Sequence, residues 1–106
     1  MDPSELLRRG ADYIDEHGWI RGKFNSGGAV CAIGALKAVS GERHFGFPSG
    51  GVTFAAVKKL HDHLGLDAPW KDEFAIGNAV ADWNDGSKMT ASEVTAAMRA
   101  AADAGL

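Results

Sequence analysis

A chain of 106 residues, 45% apolar and 24% charged, is long enough to close one hydrophobic core without disulfides or metals. Its net charge of -3 argues against a phosphate backbone as the main partner, and a single cysteine, Cys31, allows no internal disulfide and suits a reducing compartment. No apolar run approaches the ~18 residues of a membrane span and the charged start MDPSELLRRG is unlike a signal peptide, so the expectation is a cytoplasmic protein with no membrane and no nucleic-acid partner.

Asp2-Pro3-Ser4-Glu5 reads as a helix start, with an N-cap, proline in the first turn and a capping-box glutamate. Leu7, Ala11 and Ile14 form the apolar stripe of this first helix, and Gly18 ends it. Trp19 and Ile20 are expected to fold back onto the helix. Residues 21–28 form a basic, glycine-rich loop.

Residues 29–39, AVCAIGALKAV, are almost wholly apolar and predict a buried central helix, with Lys37 the first residue to reach water. Gly34 in its middle costs about 1 kcal/mol relative to alanine, which predicts a close approach by a bulky neighbour, naturally a tryptophan. Residues 41–51 are the longest irregular stretch and carry His44, Phe45 and Phe47.

A third helix is expected from Val52 to Leu64, with Phe54, Val57, His61 and Leu64 inward. A fourth is expected from Lys71 to Trp83, with Phe74, Gly77, Val80 and Ala81 inward, stopped by Asn84-Asp85-Gly86. Thr90-Ala91-Ser92-Glu93 is a second capping box. It opens a fifth helix with Val94, Ala97, Met98 and Ala101 on one stripe, Glu93, Thr95, Arg99 and Asp103 facing water, and Gly105 at its end. The fold expected is all-α: one domain over residues 1–106, about five short helices in an orthogonal bundle around residues 29–39. The core is expected to include Trp19, Leu64 and Trp83.

Three groups of residues carry chemistry. Cys31 near a helix start is placed where backbone N–H groups favour a thiolate, so a nucleophile with His44 or His61 as base is one reading; a small buried hydrophobe is the other. His61 and His63 point about 200° apart on a helix and cannot share one ion, so no metal and no cofactor is expected. Trp83-Asn84-Asp85 reads either as a helix stop with a tryptophan anchor or as a surface hot spot.

The pieces His17-Gly18-Trp19, Gly22-Lys23-Phe24, the run from Val30 to Leu36, Trp83-Asn84-Asp85, Thr90-Ala91-Ser92-Glu93-Val94 and Met98-Arg99-Ala100 together resemble a set of small uncharacterised proteins of actinobacteria and their bacteriophages, a domain of unknown function. The resemblance runs from about Leu6 to Ala102 and is weakest over 41–70. It implies such a source and brings no reaction and no residue roles.

The functional expectation is a non-enzymatic protein-binding module, in the setting of a phage or prophage accessory protein acting on a host protein, with His44, Phe45, Phe47, Trp83, Asn84 and Asp85 as contacts. The alternatives are a cysteine-dependent acyl-transfer or hydrolytic enzyme using Cys31, and a small-molecule sensor with a pocket near Cys31 and Trp83.

Overall fold

The computed structural model describes residues 1–41, 51–69 and 71–104. Among the described residues five helices pack into a small all-α bundle: α1 Pro3–His17, α2 Ala32–Ser40, α3 Gly51–Leu64, α4 Glu73–Asn84 and α5 Ala91–Asp103. A two-stranded antiparallel hairpin, β1 Asn25–Ser26 and β2 Ala29–Val30, precedes α2.

The capping signals place α1 and α5 well. Asp2 accepts the Glu5 N–H at 2.8 Å, and Thr90 accepts the Glu93 N–H at 3.3 Å. Glu5 itself is spent on Arg9 at 3.2 Å. These two helices lie against each other, and exposed ion pairs cross between them: Arg99 bonds Asp12 at 2.8 Å and Asp15 at 2.6 Å, and Arg8 bonds Asp103 at 2.9 Å. Thr95, expected at the surface, is buried. Gly105 lies outside the described residues.

The central helix starts three residues later than expected. Gly27 and Gly28, with φ of 61° and 96°, make the two-residue turn that pairs Asn25 with Val30. Such left-handed turns match strand twist, so Ala29 and Val30 are drawn into the hairpin. Trp19 pairs in parallel with Val30, with the Ile20 N–H donating to the Val30 carbonyl at 3.1 Å and the Val30 N–H to that of Gly18 at 3.0 Å, and its ring packs against the core. Residues from Val30 to Lys37 are nonetheless continuously buried, and α2 touches all four other helices.

Lys37 is only 8% exposed, and its ammonium lies 4.3 Å from the centre of the Phe24 ring, so the expectation that it reaches water is corrected. A long aliphatic stem tolerates burial when the charge finds a favourable face. Gly34 does permit a close approach, but of backbone rather than tryptophan. A Cβ there would fall on the Phe24 carbonyl oxygen and 2.7 Å from its carbon.

The inward face of α3 is the expected one, widened to take in Thr53 and Ala56, while that of α4 is turned from the one expected. In α3, Thr53, Ala56, Val57, Leu60 and His61 are buried, while Phe54 and Leu64 are half-buried. In α4 the buried residues are Ile76, Gly77, Val80 and Asn84, and Phe74 is 68% exposed. Asp72 caps α4 by accepting the Ala75 N–H at 3.0 Å, which sets its start two residues after Lys71. Trp19 and Trp83 pack at the core's edge, half-buried.

Gly34→Ala should destabilise the protein by about 3 kcal/mol, because a carbonyl must move to admit the methyl group. Gly10→Ala should cost clearly less: the methyl group there meets the flexible ends of Leu36 and Met98, each at 2.9 Å. Urea denaturation of the two variants, compared at equal m-value, checks the ordering.

Candidate functional site

The segment from Trp19 to Phe24 is held against the end of α4 by three side chains, with the buried Asn84 at the centre and Asp85 and Arg21 beside it. Asn84, 1% exposed, uses its carboxamide in full. Its oxygen accepts from the Trp19 indole at 2.8 Å and from the Ala32 N–H, the first of α2, at 3.1 Å. Its nitrogen donates to the Ile20 carbonyl and to Asp85 Oδ1, both at 3.1 Å. Asp85 Oδ1 also accepts the Gly22 N–H at 2.8 Å. Arg21 stacks 4.7 Å from the Trp19 ring centre and donates to the carbonyls of Gly86 and Met89. A buried polar group is stable only when its bonds are made, and here each donor and acceptor of the carboxamide is used.

The three residues of Trp83-Asn84-Asp85 therefore do three different things. Successive residues on a helix point about 100° apart. Asn84 faces inward and is unavailable to a ligand. Asp85 is exposed. Trp83 lines an open groove of about 560 Å³ between α4 and the connector after α3, with Leu66, Pro69 and Ala79 among its neighbours.

Beside this groove is a cleft of about 300 Å³. Its walls are residues 22–24 on one side and Asn78, Ala81, Asp82 and Asp85 of α4 on the other, and it reaches Cys31. Asn78 and Asp82 line both depressions and are joined by a 3.4 Å hydrogen bond. In the sequence this pair is marked only by its i, i+4 spacing among the small residues Ala79 and Ala81.

Cys31 is 3% exposed and caps α2, its sulfur accepting the Gly34 N–H at 3.3 Å. Burial pushes the thiol above its ordinary pKa, and the nearby Asp85 charge adds to this; the Gly34 N–H pulls the other way and does not offset them. The helix start that was expected to favour a thiolate is outweighed by desolvation.

His61 is buried, with Nε2 accepting the Ala68 N–H at 3.3 Å and Nδ1 bonded to Asp62 at 2.9 Å. Both ring nitrogens are thus engaged at the end of α3, where they pin the connector that walls the groove. Asp62 in turn binds Lys58 at 2.7 Å. Burial raises the Asp62 carboxyl, but the hydrogen bonds from Lys58 and His61 outweigh it and hold the carboxyl below its ordinary pKa. Lys59 donates to the Ala104 carbonyl at 2.7 Å and helps close α5.

His44, Phe45 and Phe47 lie outside the described residues. Among the described residues no three His, Cys, Asp or Glu side chains converge as a metal site requires, and no helix is long and apolar enough to cross a membrane.

A family model covers residues 1–104. The chain belongs to DUF6197, a family of unknown function. No curated protein and no solved structure matched it.

Asn84→Ala should destabilise the protein by about 3 kcal/mol, since it leaves the Trp19 indole, the Ala32 N–H and the Ile20 carbonyl unpaired. Chemical denaturation followed by tryptophan fluorescence reads the loss. Cys31 should react with a thiol reagent far more slowly in the folded protein than in urea across neutral pH, because it is 3% exposed and little of its raised thiol is ionised there. Fast native labelling would contradict this assignment.

Proposed function

We propose that the chain is a non-enzymatic protein-binding module whose contact surface is the outer face of α4. The observation that carries the reading is the position of Trp83: a half-buried ring forming one wall of an open groove, beside exposed Asp82. An amphipathic aromatic flanked by polar groups is the usual composition of an interface hot spot. Asp85 adds a rim charge, and Asn84 supports the face from within. Phe45 and Phe47 are proposed as further contacts on residue type alone. An accessory protein of an actinobacterial phage, acting on a host protein, is the setting suggested by the sequence resemblance.

The small-molecule alternative is favoured by one observation, the cleft reaching Cys31. Its volume is at the lower limit of ordinary ligand pockets. The reading with Cys31 as nucleophile draws no support from a buried thiol with a raised pKa, or from a His61 bonded to Asp62 and Ala68.

The test is affinity capture from an actinobacterial host lysate with the wild type and with Ala79→Arg, which fills the groove from a half-buried position. Loss of a specific captured protein, at an unchanged urea midpoint, supports the groove as the contact. Undiminished capture overturns it. In parallel, Phe45→Ala with Phe47→Ala should weaken capture if those residues contribute; unchanged capture removes them from the interface.

A further inference from the structure

We infer that the α4 face recognises a basic peptide segment of the partner, one in which an apolar side chain fills the Trp83 groove and a neighbouring arginine or lysine reaches the adjoining cleft. This rests on the reading of α4 as the contact surface and names the chemistry of what it takes.

The groove and the cleft share the Asn78–Asp82 wall, so a chain crossing that ridge enters both. The groove offers Trp83, Leu66 and Pro69 to an apolar anchor. The charges around the two depressions are unbalanced. Asp67 lines the groove, Asp82 lines both depressions and Asp85 lines the cleft, while Lys23 is the one cation on either wall among the described residues.

None of those three aspartates has an arginine or lysine partner among the described residues. Several acids elsewhere, Asp12, Asp15, Asp62 and Asp103 among them, are neutralised by arginine or lysine, so what marks this face is the gathering of three unneutralised carboxylates around two adjoining depressions. Asp85 gives one oxygen to Gly22 and Asn84, and Asp82 gives one to Asn78, so each retains a second oxygen for a ligand. The two stand three residues apart, Asp82 in the last turn of α4 and Asp85 as its C-cap, a spacing that suits two donors of one guanidinium. The negative potential here also opposes ionisation of Cys31, as the effect of Asp85 on that thiol shows. Charge complementarity of this kind sets partner choice and approach rate more than affinity.

The experiment uses capped peptides of alternating Arg and Leu, Glu and Leu, or Arg and Ser, with agmatine as a free guanidinium. Binding is followed by fluorescence polarisation and by the tryptophan indole N–H signals in two-dimensional NMR. The Arg–Leu peptide is expected to bind and to shift the Trp83 indole while the Trp19 indole, bonded to Asn84, stays in place. Asp82→Asn, which removes one charge at constant shape, should weaken it about fivefold, and added salt should weaken it further.

Equal binding of Glu–Leu, or no loss in Asp82→Asn, overturns the charge assignment. Equal binding of Arg–Ser shows attraction without the groove and overturns the anchor. Agmatine binding as tightly as the peptide makes the cleft a small-molecule site and overturns docking. If no peptide binds while lysate capture still depends on Ala79, the basic-segment inference falls and the binding reading stands. If capture is also indifferent to Ala79, both fall.

Discussion

The carboxamide of Asn84 is the one buried side chain among the described residues whose hydrogen bonds join the 19–24 segment, the start of α2 and the end of α4 at a single point. It anchors the Trp19 indole and the Ile20 carbonyl, covers the first N–H of α2, and orients Asp85, which holds Gly22. The inner wall of the cleft, residues 22–24, is where it is because of these bonds. A polar group in this position stabilises little over water when satisfied, but strongly disfavours any arrangement in which it is not. It therefore selects one docking of the 19–24 segment among many that would bury similar apolar area.

The start of α2 shows the same logic. Helix N-termini leave N–H groups without partners. In a buried helix those groups need protein acceptors, and here they come from two side chains, Cys31 for the Gly34 N–H and Asn84 for the Ala32 N–H. The Cys31 N–H donates to the Phe24 carbonyl at 3.3 Å, and that carbonyl lies where a side chain at residue 34 would be. Glycine at 34 is thus a condition for Phe24 to lie across α2, and with it for Lys37 to place its ammonium on the Phe24 ring. The single cysteine has a structural account: a small, weakly accepting cap in a dry place.

Much of the bundle was legible in the sequence where local chemistry decides. The Asp2 and Thr90 caps, the end of α2 at Gly41, and the inward positions of Leu7, Ile14, Val57, Val80, Val94 and Met98 follow from capping and periodicity. The start of α2 was not legible, because Ala29 and Val30 are drawn into a hairpin by Gly27-Gly28 and by pairing with Trp19. The face of α4 was misread by about one residue. Phe74 looks like core and is exposed, whereas Asn84 looks like a helix stop and is core. Nothing local distinguishes an asparagine that ends a helix from one that satisfies a distant indole and a distant helix start. Of the candidate contacts, Trp83 and Asp85 line the depressions of α4; the partnership of Asn78 with Asp82 is visible only once the fold brings the 22–24 segment and the connector to either side of it.

The most direct test of this account is hydrogen exchange of the Trp19 indole N–H and the Asn84 carboxamide, followed by NMR in the folded protein. The account predicts that both are protected far beyond an exposed side chain, because the bonds at 2.8 and 3.1 Å open only when the 19–24 segment leaves α4. Exchange at the rate of an exposed side chain, with the core amides still protected, would show that the latch at Asn84 is not what holds the cleft wall in place.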